Sequence, residues 1–251
     1  MKETKVRLDK LLVDRGLAPT RERARAMILS GNVLVEDQSR DKAGAPIPAH
    51  AAIRIRGEDH PYVSRGGVKL KGALEAFGVC VRDLICLDVG ASTGGFTDCL
   101  LQEGAAKVYA VDVGYGQLAW RLRQDPRVRS IERTNIRTFD GQGLDDPIDL
   151  AVMDTSFISL KQVVPAVLRL IRADASLLAL VKPQFEVGRA AVGKHGVVRN
   201  PDLHRQVLQD MEAFFEQRDL HVLGTAESPL TGPAGNREFF IYARRRQALP
   251  A

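Results

Sequence analysis

Charged side chains that could move a proton stand at the ends of apolar segments in this chain. The stretch LLALVKPQFE, residues 177–186, is an apolar run that ends at Lys182, and Pro183 then stops any strand ladder. IDLAVMD ends at Asp154 in the same way, and EFFIYARR begins at Glu238. A lone lysine in such a place usually extends its stem to solvent. Beside carboxylates and a second amine, it could instead take part in acid–base chemistry.

A glycine-rich turn upstream of these residues is typical of a nucleotide cofactor site. In LICLDVGASTGGF a buried strand, residues 84–88, leads through three glycines into a helix. Nucleotide cofactors bind at such strand-to-helix turns in open α/β sheets. The spacing differs from the GxGxxG of dinucleotide enzymes, and Asp88 before the first glycine disfavours a pyrophosphate. It suits a cofactor with a cationic amino-acid group, which favours S-adenosylmethionine over a turn that only reverses the chain.

A second acidic residue agrees with a nucleoside cofactor. In KVYAVDVGYGQL a strand ends at Asp112, where a carboxylate can accept both ribose hydroxyls. An aspartate that only caps a turn is the alternative. Asn135 follows the third strand and is placed to meet the adenine side. The predicted cofactor-binding residues are Asp88, Gly90, Ala91, Ser92, Gly94, Gly95, Phe96, Asp112, Val113, Asn135 and Asp154.

The elements that must position these residues alternate between strand and helix from Ser64 onward. This alternation predicts βαβ units and a mostly parallel sheet, hence a Rossmann-like α/β domain. Lys69 lies on what looks like a leading helix before the sheet. Two amphipathic helices are predicted at residues 160–172 and 201–217. The second is expected to bury Leu203, Val207, Met211 and Phe214.

The first 60 residues follow a different pattern and predict a small α+β domain. RLDKLLVDRG and APTRERARAMILSG predict two helices, VLV and AAIRIR predict strands, and QSRDKAGAPIPA between them predicts a loop. Residues 1–25 hold eight basic and four acidic side chains. That excess is typical either of a solvated helical face or of an RNA-binding surface. We expect domains at residues 1–60 and 65–246, a linker at 61–64 and a tail at 247–251.

The order of these N-terminal elements resembles the α-L RNA-binding module of a small-subunit ribosomal protein and of many pseudouridine synthases. The segments RLDKLL and SGNVLV carry the resemblance, which covers about residues 5–60. It implies a grip on RNA phosphates, which positions a protein without reading sequence. The predicted RNA-binding residues are Lys5, Arg7, Lys10, Arg21, Arg23, Arg25 and Arg65.

Bulk composition narrows the class of protein. A net charge of +5 is compatible with nucleic acid binding without requiring it. No apolar run approaches the roughly 18 residues of a membrane span, and the N-terminus lacks the apolar core of a signal peptide. Three cysteines without a CxxC pair indicate neither disulfides nor a structural zinc site. We therefore expect a cytoplasmic protein with no bound metal and no membrane contact.

Five motifs resemble those of the FtsJ-like ribose 2′-O-methyltransferases: SRGGVKL, LDVGASTGGF, VMDTSF, LVKPQFE and NREFF. With the N-terminal module, nearly the whole chain resembles the TlyA family of rRNA 2′-O-methyltransferases, sometimes called haemolysin A. The resemblance implies a catalytic tetrad of Lys69, Asp154, Lys182 and Glu238. It also implies S-adenosylmethionine as cofactor and ribosomal subunits as partners. Methylation would fall on rRNA cytidines, in the large subunit alone or in both, and we expect a monomer.

The residue types suit transfer of a methyl group to a ribose hydroxyl. A 2′-hydroxyl is a weak acid, so a base must take its proton during attack. Lys182 is the candidate base, because burial and a second cation, Lys69, favour a neutral amine. Asp154 and Glu238 would orient the amines and balance their charge. No Asn/Asp-Pro-Pro-aromatic turn follows the fourth strand, and every cysteine precedes residue 100. Base amines and pyrimidine carbons are therefore disfavoured as targets.

Other interpretations stay open at this stage. A non-catalytic RNA-binding protein on a methyltransferase scaffold is the main alternative. A membrane-lytic protein, suggested by the haemolysin name, finds no support in the sequence. The glycine-rich segment 188–200, with Arg189, Lys194 and His195, is a lid, an RNA contact or a plain loop. The six arginines in residues 121–137 form either an RNA track or a solvated face.

Overall fold

The computed structural model describes residues 5–29, 31–55, 60–188, 191–193, 196–232 and 234–246. The chain divides into two compact units, Met1–Arg65 and Gly66–Ala251. Each unit buries a hydrophobic cluster of its own. The predicted tail, residues 247–251, lies outside the described residues.

Short helices and strands build the first unit. Its core consists largely of leucine, isoleucine and valine from α1, α2 and β2. Strand β1 pairs antiparallel with β4, and β2 pairs antiparallel with β3 and β5. The bounds are β1 Lys5–Arg7, α1 Leu8–Asp14, α2 Arg21–Leu29, β2 Val33–Val35, β3 Gln38–Ser39, β4 Pro46–Pro48 and β5 Ile53–Ile55.

Three strands of this unit, β1, β3 and β4, were not predicted. The segment QSRDKAGAPIPA, expected to be a loop, contains β3 and β4. Both are too short to show an alternating pattern, and β4 contains two prolines. It forms because β1, about 40 residues away, supplies its pairing partner, with Val6 opposite Ile47. A partner so distant in sequence leaves no local signal.

The second unit alternates strands with helices, as the sequence pattern predicts. Its elements begin at the boundary between the two units and continue to residue 245. The bounds are α3 Arg65–Phe77, β6 Ile85–Val89, α4 Gly95–Gln102, β7 Lys107–Val111, α5 Trp120–Arg123, β8 Val128–Ile131, β9 Ile148–Met153, α6 Leu160–Val167, β10 Ile171–Val181, α7 Pro183–Glu186, α8 Pro201–Glu216, β11 Leu220–Glu227 and β12 Phe239–Arg245.

The seven described strands of this unit form one sheet in the order β11-β12-β10-β9-β6-β7-β8. Strands β6 to β10 run parallel to one another. Strand β12 is antiparallel to both of its neighbours, β10 and β11. The predicted Rossmann-like α/β fold is therefore confirmed. The chain builds the sheet outward from β6 through β7 to β8 and then crosses back to place β9 on the other side of β6. The connections that leave β6 and β9 therefore run in opposite directions. Such a switch point is where open α/β sheets bind ligands, at the carboxyl ends of the strands.

Two helix predictions need correction. The helix expected over residues 160–172 ends at Val167, and β10 already begins at Ile171. Helix α8 buries Phe215 fully, whereas Phe214 is only half-buried. Val207, Met211 and Phe215 recur every four residues, which keeps them on one helical face toward the sheet.

A close approach between two backbones requires glycine at the end of β6. Gly90 has φ +85°, and a Cβ at this position would lie 2.7 Å from the carbonyl oxygen of Asp154. The turn after β6 therefore packs directly against the chain that leaves β9. This contact sets how near Asp154 stands to the glycine-rich turn.

We predict that Gly90→Ala destabilises the protein more than Gly116→Ala does. Gly116 has a similar φ of +73°, but a Cβ added there would have no described atom within 4 Å, so it reports backbone strain alone. That strain costs about 1 kcal/mol, and the collision at Gly90 should add roughly 1–3 kcal/mol. Chemical denaturation of both variants measures the difference, and equal losses would contradict the close-approach argument.

Candidate active site

A cavity of about 440 Å³ opens at the carboxyl ends of four neighbouring parallel strands, β9, β6, β7 and β8. Its size lies in the usual range for small-molecule and cofactor sites. The loops that follow these strands form its wall. The lining residues are Val89, Gly90, Ser92, Val111, Asp112, Val113, Gln117, Thr134, Asn135, Ile136, Arg137, Asp154, Thr155, Ser156, Phe157, Ile158 and Val163.

Asp112 is a carboxylate of this wall that the main chain holds firmly. Its Oδ2 accepts a hydrogen bond from the amide of Ser92 at 2.8 Å, and its Oδ1 accepts one from the amide of Gly114 at 2.6 Å. A carboxylate oxygen has two acceptor sites, so each can still accept a hydroxyl. The neighbouring wall is apolar at Val113 and Ile136. A fixed acceptor beside an apolar wall fits the ribose and base of a nucleoside.

Asp88 lies beneath the turn rather than in the cavity wall. Its side chain is fully buried, and its Oδ2 accepts hydrogen bonds from Thr97 N at 2.9 Å and Thr97 Oγ1 at 2.7 Å. Its Oδ1 has no hydrogen-bond partner among the described residues. Burial raises the pKa of Asp88 to about 7, against the lowering effect of the Thr97 bonds. Asp88 therefore fixes the start of α4 and does not itself line the cavity.

The remaining predicted cofactor residues divide between the wall and its support. Gly90, Ser92, Val113, Asn135 and Asp154 line the cavity together with Asp112. Four others do not line the cavity. They form the glycine-rich loop after β6 and the first turn of α4. At Gly94, with φ +95°, a Cβ would collide with Leu122 and Leu118. These four residues are Ala91, Gly94, Gly95 and Phe96.

Two lysine–carboxylate pairs stand at this edge of the sheet. Lys182 Nζ lies 2.6 Å from Asp154 Oδ1 and donates to Ser156 Oγ at 3.1 Å. Lys69 Nζ donates to Glu238 Oε2 at 2.6 Å. The second pair is the more buried, with side-chain exposures of 9% and 1%, against 10% for Lys182 and 23% for Asp154. Each predicted amine therefore meets a predicted carboxylate.

Sheet register explains why these residues meet. Val181 and Phe239 are opposite each other in the antiparallel pair β10–β12. Lys182, which follows β10, and Glu238, which precedes β12, therefore leave neighbouring strands at the same edge. Asp154 follows β9, the parallel neighbour on the other side of β10. At Gly232 a Cβ would lie 2.5 Å from Glu238 Oε1, so a larger residue at this position would displace the carboxylate.

Phe157 is a feature that the sequence analysis did not assign to the site. Its side chain is 91% exposed, and its φ of +62° is unusual for a bulky residue. Its ring centroid lies 5.3 Å from that of Phe185, and Lys182 Nζ lies 5.9 Å from the Phe185 ring. An exposed aromatic ring in strained backbone on the cavity wall is a candidate contact for a substrate base. The pattern DTSF alone gives no sign of that exposure.

The predicted RNA-binding residues of the first unit differ in their surroundings. Lys5 and Lys10 are exposed, and the side chains of Arg7, Arg21 and Arg25 are about half exposed. Arg23 instead donates to the carbonyl oxygens of His60, at 2.6 Å, and of Tyr62. It therefore holds the main chain of residues 60–62. Arg65 is half-buried at the first position of α3.

Two other segments, residues 188–200 and the arginine run at 121–137, were considered as RNA contacts from the sequence. Arg189, Lys194 and His195 lie outside the described residues. In the arginine run, Arg133 stacks over the ring of Tyr115 at 4.1 Å. Three more arginines of the run are paired with carboxylates, which lowers the charge available to RNA. These are Arg121 with Asp98, Arg123 with Glu132 and Arg127 with Asp125.

Neither a metal cluster nor a membrane-spanning helix is found in the described part of the chain. The described residues contain no group of three or more His, Cys, Asp or Glu side chains able to hold a metal ion. Within the same residues, no helix is long and apolar enough to span a membrane.

Comparison with known proteins gives consistent matches over nearly the whole chain. The family model FtsJ-like methyltransferase matches residues 62–245, and the S4 domain model matches residues 6–53. The 16S/23S rRNA (cytidine-2′-O)-methyltransferase TlyA of Mycobacterium tuberculosis is 45% identical over 241 residues, covering 96% of this chain and 90% of that protein. A Bacillus subtilis protein provisionally named rRNA methyltransferase YqxC is 47% identical over 96% of this chain and 86% of its own length.

A solved structure matches as well. A chain from Streptococcus thermophilus, solved under the provisional description of a hemolysin, superimposes with a TM-score of 0.76 at 42% identity. The match covers 98% of this chain and 90% of that one.

The raised pKa of Asp88 leads to a prediction about stability against pH. The folded protein retains a proton on Asp88 up to about pH 7, whereas an unfolded chain releases it near pH 4. The contribution of Asp88 is therefore complete at low pH and is lost as pH rises from about 4 to 7. Asp88→Asn keeps a neutral acceptor for Thr97. We predict that its stability relative to wild type increases across this window, as measured by denaturation at about pH 5 and about pH 8. A constant difference would contradict the assignment.

Proposed function

The chain belongs to the FtsJ-like methyltransferase family and, within it, to the TlyA rRNA methyltransferases, and we propose that it methylates the ribose 2′-hydroxyl of a cytidine in ribosomal RNA. The observation that carries this proposal is the Lys182–Asp154 pair, whose carboxylate lines the cavity, together with the Lys69–Glu238 pair at the same edge of the sheet. A buried amine beside a cofactor cavity is suited to removing a proton from a weakly acidic hydroxyl.

The cofactor of this activity is S-adenosylmethionine, which supplies an electrophilic methyl group when bound. We propose that Asp112 binds its ribose hydroxyls, that Asn135 and Ile136 line the adenine side, and that the turn at Gly90 and Ser92 lies against its amino-acid part. The main-chain bonds of Ser92 and Gly114 to Asp112 orient that carboxylate before any ligand arrives. Such preorganisation reduces the entropic cost of binding.

Lys182 is assigned as the general base. Of the two amines it is the one paired with a residue of the cavity wall, Asp154, which leaves it nearest the reacting groups. In its neutral form, Nζ takes the proton of the 2′-hydroxyl as the oxygen attacks. Asp154 then stabilises the ammonium group that results. Lys69 and Glu238 form a second, more deeply buried pair at the same edge of the sheet, and we assign Lys69 as the second cation of the site.

Phe157 is assigned to the nucleotide that is methylated. We propose that the methylated nucleotide leaves its stack so that its ribose reaches Lys182, and an exposed aromatic ring then compensates for the lost stacking. The contact between Phe157 and Phe185 would hold the ring in place for this role. The first unit would contribute the remaining affinity through phosphate contacts by Lys5, Lys10 and neighbouring arginines. We also propose that the protein acts as a monomer in the cytoplasm.

We predict that Lys182→Ala reduces the methylation rate by about 10²–10⁴-fold, the usual contribution of a general base. Binding of cofactor and of ribosomal subunits should be retained. Lys161→Ala, which removes an exposed lysine from α6, is the matched control and should behave like wild type. Single-turnover methyl transfer to ribosomal subunits gives the rates. A near-normal rate in Lys182→Ala would exclude this residue as the base.

Asp112→Ala should weaken the binding of S-adenosylmethionine by about 2–5 kcal/mol, the range for truncating one partner of a buried charged hydrogen bond. Asp112→Asn retains one acceptor for the turn and should lose less. Isothermal titration calorimetry with the full chain measures both. Unchanged affinity in the alanine variant would remove Asp112 from the cofactor site.

A further inference from the structure

A buried aspartate in the first unit joins three arginines at the surface. Asp9 has no exposed area, although it lies in the first turn of α1. Its Oδ2 lies 3.0 Å from Arg7 Nη2, 3.0 Å from Arg21 Nη2 and 3.2 Å from Arg25 Nε. Its Oδ1 accepts from Arg7 Nε at 3.1 Å and from the amide of Lys10 at 2.9 Å. We refer to Asp9, Arg7, Arg21 and Arg25 as the Asp9 cluster.

The charges of the Asp9 cluster do not balance. Three guanidinium groups and one carboxylate leave an excess of two positive charges on these four side chains. The hydrogen bond from Arg7, helped by those from Arg21 and Arg25, holds the pKa of Asp9 well below its usual range, so the carboxylate stays ionised. One arginine already balances the charge of Asp9, so the two further arginines add net positive charge at this surface.

The arginines of the cluster remain able to bind a second anion. Each side chain is about half exposed, at 52%, 51% and 52% for Arg7, Arg21 and Arg25. A guanidinium group has five N–H donors, and the bonds to Asp9 use at most two of them on each arginine. The remaining fork is of the kind that binds phosphate bidentately.

We propose that Asp9 is a positioning residue for RNA binding: it holds Arg7, Arg21 and Arg25 in one orientation so that together they bind two neighbouring phosphates of the RNA backbone. This rests on the proposed function, since it names how the first unit would hold ribosomal RNA. Two phosphates match the two excess positive charges. The arginines come from β1 and from two successive turns of α2, so without Asp9 they would point independently.

Positioning by Asp9 and net charge alone predict opposite effects of one substitution. Asp9→Asn removes a negative charge from an RNA-binding face, which by simple electrostatics should strengthen binding. If Asp9 positions the arginines, the affinity of the full chain for ribosomal subunits should instead fall at least about tenfold. The slope of log affinity against log salt should also become shallower, because fewer cations neutralise phosphates at once. Asp14→Asn is the matched control, since it removes the same charge from an exposed position at the end of α1.

Kinetics separate positioning from damage to the enzyme. Asp9→Asn should raise KM for the ribosomal substrate while kcat and the affinity for S-adenosylmethionine stay at wild-type values. Asp9→Asn binding as tightly as Asp14→Asn, or more tightly, would overturn the proposal.

A second variant tests the proposal if Asp9→Asn does not fold. Arg21→Lys with Arg25→Lys conserves charge and alters only half-exposed side chains of a helix that tolerates lysine. It should weaken binding at least about tenfold, because ammonium groups lack the bidentate fork. Wild-type affinity in this variant would overturn the positioning role of Asp9. If the same variant still methylates ribosomal subunits, the proposed function stands. A wild-type protein that neither binds nor methylates ribosomal subunits would overturn both.

Discussion

Burying an amine is costly unless a carboxylate accompanies it, and the second unit buries two amines at one edge of its sheet. Lys69 and Lys182 are each within 2.6 Å of a carboxylate oxygen. Their partners come from distant parts of the chain, so the pairs form only once α3, β9, β10 and β12 have assembled. The antiparallel insertion of β12 beside β10 is what brings Glu238 to this edge. Removing either partner of the deeper pair would leave an isolated buried charge.

The cofactor cavity depends on main-chain geometry more than on side-chain chemistry. Gly90 permits the turn after β6 to touch the backbone at Asp154, which draws the candidate base and the candidate cofactor turn together. Asp112 is oriented by amides on two different loops, so the carboxylate and both loops fix one another. Asp88 accepts a hydrogen bond from the amide of Thr97 and so fixes the first turn of α4. The result is a wall whose acceptors are already in position, which is the arrangement that favours tight binding of a small ligand.

Both units use ion pairs, but for different ends. In the second unit two cations meet two anions, and the balance allows the groups to be buried. In the Asp9 cluster three cations meet one anion, and the excess positive charge stays at the surface. A balanced cluster suits proton transfer within a closed site, whereas an unbalanced one suits attraction of an external polyanion. The arginine run at residues 121–137 is closer to balanced, because three of its members already pair with carboxylates.

The sequence by itself determined the fold class, the S-adenosylmethionine cofactor and the family, because strand–helix alternation and the motifs around Lys69, Gly90 and Lys182 are local patterns. Tertiary structure decided what depends on distant partners. It paired each lysine with its carboxylate and turned Asp88 away from the cavity toward Thr97. It tied Arg23 to the main chain at residue 60, and it joined three arginines through Asp9. The exposure of Phe157 and the pairing of β4 with β1 also required the folded chain. A residue type fixes what a side chain can do, but its neighbours across the fold fix which partner it meets.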